Sequence, residues 1–175
     1  MKLIELARKA VEEYAYGKEF EPDPETKEKF NEKKANFVTI TKKGEIRGRV
    51  GTFEPKEELW KSIIQNAINA TFFDAKMSPL ERYEILSAKI EISILSKPKR
   101  IAVNNYLEII KKIEKGMGLI LKQGSKDSTV LPTIWEETED KIEVLQKLST
   151  NAGLDKDTWK ISEIYFYTVE TIKEE

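Results

Sequence analysis

Apolar residues recur at Leu3, Leu6, Ala7, Ala10, Val11 and Tyr14, the spacing of a helix that buries one face. The chain therefore opens with a helix. Pro22, Pro24 and the charged run that follows them, up to Asn36, read as a surface connection. In FVTITKKGEIRGRVGTF two β-rich runs flank Lys42, Lys43 and Gly44, which predicts a hairpin with a short glycine-containing turn. After Pro55, the residues Leu59, Ile63, Ile64, Ala67, Ile68, Thr71 and Phe72 build the wide apolar face of a core helix of about four turns. Ser78-Pro79-Leu80-Glu81 matches a capping box with proline in the first turn, so a short helix is expected to start there.

The second half follows the same logic. In KIEISIL the residues Ile90, Ile92 and Ile94 alternate with Glu91, Ser93 and Leu95, the period of a strand. Asn105 and Glu108 cap a helix that Gly116 ends, and GLILKQGSKDSTVLP suggests two short strands around a polar loop from Gly124 to Ser128, closed by Pro132. TEDKIEVLQKLSTNAGL is a helix with Gly153 just past its end. ISEIYFYTVETI reads as one last strand. Helices and strands mix without regular βαβ alternation, so the fold class is α+β, with a mainly antiparallel sheet flanked by helices.

Composition narrows the chemistry. The 175 residues hold neither Cys nor His, which removes disulfides, thiolate nucleophiles, imidazole bases and the metal sites built from either residue. Lys and Arg (30) nearly cancel Asp and Glu (31), so no global basic field draws nucleic acid, although TKKGEIRGR is basic locally. The Lys-over-Arg and Glu-over-Asp bias resembles that of proteins from very hot organisms. No apolar run approaches the roughly 18 residues that span a bilayer, and the amphipathic start is unlike a targeting peptide, so a cytoplasmic protein without membrane contact is expected. The Asp residues are too scattered to gather a magnesium site, and no metal or cofactor is expected.

The order of motifs resembles the AMMECR domain family, named after a chromosomal deletion region associated with Alport syndrome. The family hallmark is Leu-Arg-Gly-Cys-Ile-Gly-Thr, and Ile46-Arg47-Gly48-Arg49-Val50-Gly51-Thr52 stands in its place ahead of the same kind of long helix. The family's Asp-x-Arg-Phe-x-Pro-Leu corresponds to Asp74-Ala75-Lys76-Met77-Ser78-Pro79-Leu80. The strand from Ile90 to Ser96, Gly118-Leu119-Ile120-Leu121, Leu131-Pro132 and Asn151-Ala152-Gly153-Leu154 followed by Trp159 also match. Departures accompany the matches: Arg49 replaces the hallmark cysteine, Lys76 the arginine, Thr133 a polar residue and Asn151 a lysine. The resemblance covers nearly the whole chain and implies a single domain over residues 1–175 made of two closely packed subdomains. It also implies association with Memo-type or radical-SAM proteins, and a speculative link to transcription, repair or translation. Thiol chemistry cannot operate here, because a guanidinium is no nucleophile.

Side chains alternate along a strand, so Arg47 and Arg49 are expected on one face, roughly 6 to 7 Å apart, with Gly48 and Gly51 leaving bare backbone where a ligand approaches. On one reading the two arginines grip a carboxylate or phosphate, with Thr52 and Lys76 joining them. On the other they form ion pairs, Arg47 with Glu91 and Asp74 with Arg49 or Lys76. If the chain is an enzyme, Asp74 or Glu91 would be its general base, Lys76 an electrostatic stabiliser, and Ser93 or Thr52 its hydroxyl nucleophile, but no spacing matches a known activating arrangement. A small anionic ligand or a partner protein at a cleft around Ile46–Thr52 is the expected function, with nucleic acid as an alternative. Trp60, Trp135 and Trp159 are expected as core anchors.

Overall fold

The computed structural model describes residues 1–175, which divide into two compact units, Met1–Leu95 with Glu170–Glu175 and Ser96–Val169. In the first unit come α1 (Leu3–Ala15), α2 (Pro24–Lys29), β1 (Asn36–Lys42), β2 (Glu45–Thr52), α3 (Leu59–Phe72), α4 (Arg82–Ile85) and β3 (Lys89–Leu95). The second unit holds β4 (Lys99–Arg100), α5 (Tyr106–Lys112), β5 (Gly118–Gln123), β6 (Lys126–Val130), α6 (Ile134–Glu137), α7 (Lys141–Asn151), a 3-10 turn at Thr158–Ile161 and β7 (Glu163–Tyr167). The chain then returns, and β8 (Val169–Lys173) completes the first sheet. There are two four-stranded sheets, ordered β2-β1-β3-β8 and β4-β7-β5-β6, and the class is α+β. No helix is long and apolar enough to cross a membrane.

The first core fills the space between one sheet face, bearing Val38, Ile40, Ile90 and Ile92, and the helices, which contribute Leu6 and Ile63. Each such side chain, removed wholly from water, contributes about 1.5–3 kcal/mol. The face that α3 buries is not the purely apolar one its pattern suggests. Ser62 and Asn66 are buried with Ile63 and Ala67, while Ile64 and Ile68 stay half-exposed. The cause is Asn36 on β1, fully buried: its amide donates to Ser62 Oγ (2.7 Å) and its carbonyl accepts from Asn66 Nδ2 (2.8 Å). A buried amide needs such partners, and leaving one unpaired costs about 1–3 kcal/mol.

Several expectations are corrected. The connection after Pro22 contains α2, started by Asp23, whose carboxylate accepts from Thr26 N–H (2.8 Å) and Thr26 Oγ1 (2.7 Å). The short helix begins at Arg82 rather than at Ser78, because Leu80 is buried and its N–H donates to Thr71 C=O (3.0 Å), tying that stretch to the end of α3. The capping box is Glu81 with Glu84 instead. The helix α5 ends at Lys112, ahead of Gly116. The polar loop shrinks to Gly124 and Ser125, with Lys126, Asp127 and Ser128 inside β6. The last strand is two strands, β7 and β8, belonging to different sheets; between them Thr168 N–H donates to Ser96 Oγ (2.9 Å) and Thr168 C=O accepts from Ser96 N–H (2.9 Å). Trp159 anchors the second core with Leu121, Leu145 and Leu148.

Candidate functional site

The site is built on β2, and a bulge decides what it displays. Lys43 and Gly44, at φ 52° and 84°, form a two-residue turn of the type I′ pattern, with Lys42 opposite Glu45. Counting back from that turn in regular register would set Ile40 opposite Arg47 and Val38 opposite Arg49. Residues directly opposite share a face, so both arginines would enter the apolar core. The ladder instead shifts between Ile40 and Thr41, leaving Arg47 as the extra residue, and pairs Ile40 with Gly48, Thr39 with Arg49 and Val38 with Val50. The bulge thus keeps the core apolar.

It also separates the two arginines, which were expected on one face. Arg47 leaves toward α4, where its Nη1 donates to Glu84 Oε1 (3.0 Å) beside Lys42 Nζ (2.7 Å). Those two cations, with the Glu81 N–H, draw the Glu84 carboxyl down from the ordinary range to about 2. Arg49 turns to the opposite, outer face, its guanidinium 5.6 Å from the centre of the Phe37 ring, and it makes no ion pair. The expected pairing of Arg47 with Glu91 does not form; Glu91 meets Lys173 Nζ at 3.0 Å.

Asp74 does meet Arg49 and Lys76, but through their backbone. Its carboxylate accepts from Arg49 N–H (2.7 Å) and Lys76 N–H (2.8 Å), and these bonds hold its pKa below the usual carboxylate range. The acid thereby covers an open donor of the edge strand β2. Gly48 and Gly51 do not present free backbone. A Cβ on Gly48 would lie 1.8 Å from Ala70 C=O, so glycine lets α3 press onto the strand. A Cβ on Gly51 would lie 2.3 Å from Asn36 C=O and 2.5 Å from both the Phe37 Cα and its ring, so this glycine too is closed over by β1. Thr52 closes a turn by accepting from Glu54 N–H (3.0 Å).

Three of the residues anticipated from sequence do come together. Arg49, Glu91 and Ser93 lie on the outer face, with Thr39 in the middle: Thr39 is directly opposite Arg49 on one side and Glu91 on the other, and Ser93 is opposite Phe37. Thr39 is 7% and Ser93 8% exposed, and what remains exposed includes their hydroxyl oxygens, neither of which bonds to another protein group. Sequence reasoning missed Thr39, since a threonine in a β-rich run is ordinary strand material. The row is bipolar. A guanidinium with no counter-ion stands at one end and a carboxylate with its lysine at the other, two strand spacings or roughly 10 Å apart. No three carboxylates gather to hold a metal ion.

An α+β chain of two compact units, with an arginine-bearing, bulged hairpin on the edge of its first sheet, is the class that this geometry defines. The AMMECR1 family model matches residues 4–172, and the chain belongs to that family. It is 36% identical over 180 residues to Protein NEQ441 of Nanoarchaeum equitans, covering all of both chains. To Protein MK0488 of Methanopyrus kandleri it is 36% identical, over 99% of this chain and 87% of that one. Among solved structures, uncharacterized protein PH0010 from Pyrococcus horikoshii superposes with a TM-score of 0.81 at 32% identity, covering 99% of this chain and 90% of that one.

Proposed function

We propose that this AMMECR1 domain binds a small molecule with an anionic group and, roughly 10 Å away, a hydrogen-bond donor, laid across the outer face of the first sheet. The anion meets the Arg49 guanidinium, a planar fork suited to carboxylate or phosphate. The donor meets Glu91, and the Thr39 and Ser93 hydroxyls serve the span between. The observation that carries this reading is a pair of hydroxyls, on residues that are otherwise largely covered, that have no protein partner and stay open to solvent beside a cation without a counter-ion. Compared with the nine residues around Ile46–Thr52 expected from sequence, the ligand surface contracts to Arg49, Glu91 and Ser93 and gains Thr39.

The test is a calorimetric melting screen of the wild type and Arg49→Ala against dicarboxylates, amino acids, phosphorylated metabolites and nucleotides. Ligand that binds only the folded state raises the midpoint, by about 2.7 kcal/mol of stability at a hundred times Kd. One compound class should shift the wild type and not Arg49→Ala, with Thr39→Val intermediate. A screen in which no class separates the two proteins removes the reading.

A further inference from the structure

A second cationic surface lies on the other side of β2, and nothing in the proposal above uses it. The β1–β2 turn and the bulge enclose a hollow of about 240 Å³ lined by Lys42, Lys43, Glu45 and Arg47. Two of its cations are held in place. Lys42 and Arg47 share a single oxygen of Glu84, which leaves most of their N–H donors free. The third, Lys43, sits at φ 52°, a left-handed backbone position that asparagine or glycine adopts with less strain. A lysine kept under strain at the mouth of a basic hollow points to a use for its charge.

Beside the hollow stands an aromatic ring open to solvent. Tyr83 is 78% exposed, and Lys42 Nζ lies 5.9 Å from its ring centre. The next residue back, Arg82, stacks its guanidinium 4.7 Å from the Tyr16 ring, itself 64% exposed. Cations interleaved with bare aromatic rings are what a phosphate followed by a stacked base requires. From this juxtaposition we infer that the hollow and Tyr83 form a nucleotide site: Lys42, Lys43 and Arg47 receive the phosphate and the Tyr83 ring receives the base. The ligand is defined by that shared chemistry, whether it is a free mononucleotide or one nucleotide of a single strand. Glu84 acts here only as a positioning residue, fixing Lys42 and Arg47.

The experiment titrates the whole chain with inorganic phosphate, uridine monophosphate and an oligouridylate of about ten nucleotides. Backbone amide shifts of Lys43, Gly44 and Tyr83 report occupancy, and calorimetry reports affinity. Both nucleotide ligands should move those amides, and Tyr83→Ala should weaken binding roughly tenfold, as expected for a lost stacking partner. Lys43→Asn, whose turn is relaxed and which melts no lower than wild type, should weaken the oligomer and reduce its salt slope by about 0.7, one phosphate contact. Arg49→Ala should bind as wild type, which keeps this site distinct from the outer face. A tighter monophosphate identifies a free nucleotide as the ligand, and a tighter oligomer identifies a strand. The inference is overturned if phosphate binds as well as the monophosphate with Tyr83→Ala unaffected, if Arg49→Ala abolishes the binding, or if none of the three amides moves.

Discussion

The β1–β2 and β5–β6 hairpins begin alike and end differently. Each turns in two residues, Lys43-Gly44 in one and Gly124-Ser125 in the other, and in each the next strand over crowds a glycine, with the Asn36 and Phe37 backbone and the Phe37 ring at Gly51 and the Tyr167 ring at Gly118. Gly124 alone carries positive φ in the second turn, the II′ pattern, and its ladder runs from Gln123–Lys126 to Leu119–Val130 without a shift. The first hairpin takes its strain at Lys43 and its bulge at Arg47. A regular ladder presents one apolar and one solvent face. The irregular one delivers an arginine to each side, and both candidate sites lie on it.

The sharpest way to break that contrast is Gly48→Ala. The new Cβ would collide with the Ala70 backbone carbonyl, which cannot rotate away, so a loss of about 3 kcal/mol is expected. In a domain of this size that lowers Tm by about 6–12 °C in a thermal scan. Gly118→Ala meets the Tyr167 ring, a side chain buried and bonded to Val130 C=O (3.1 Å), and should cost less, about 1–3 kcal/mol.

Next in size is the acid limb of stability. The Glu84 carboxyl has its folded pKa depressed to about 2 from an ordinary 4.5. Its stabilisation is therefore complete above about pH 4.5 and is lost as pH falls toward 2, where the folded carboxyl takes up its proton. Glu84→Gln should be less stable than wild type at neutral pH, and the gap should close across that window in denaturant titrations at successive pH values.

A smaller change of opposite sign is expected at the turn. Lys43→Asn relieves a left-handed lysine and should stabilise by about 1 kcal/mol, a rise in Tm of about 2–4 °C. Smallest of all is Arg49→Ala, an exposed substitution expected to lie within about 0.5 kcal/mol of wild type. If it changed stability more than that, the guanidinium would be structural and the outer-face site would lose its anion anchor.

What could be read in advance follows from periodicity. The faces of α1 and β3 repeat regularly, and the opposing positions across β1 and β3 then place Glu91 and Ser93 on the outer face. The bulge has no period. It can be inferred only by noticing that a two-residue turn at Lys43-Gly44 would otherwise force Arg47 and Arg49 inward, a conflict that requires the register to be known. Glu84 as the partner of Arg47 was illegible for the same reason, since it lies off the sheet on α4. The IYFYTVE run is continuously β-prone, and nothing local marks Thr168 as the point where one sheet ends and the other resumes. The α3 face misled because Ser62 and Asn66 look like surface residues until Asn36 is found buried beneath them.

The discontinuity of the first unit has a consequence for synthesis. Its sheet is completed by β8, and Arg8 of α1 bonds Glu174 as well as Ile85 C=O (2.9 Å) and Ala88 C=O (2.7 Å), joining positions 166 residues apart. A chain made at about 5–20 residues per second has α1 to β3 before any of Ser96–Val169 and gains its eighth strand only after all of them, so the first unit waits through the synthesis of the second for its sheet to close. Until then Lys173 is not there to meet Glu91, and the outer-face row lacks one of its charges. The outer-face row thus joins strands laid down early, with Arg49, Thr39 and Glu91, to a lysine that follows the whole of the second unit.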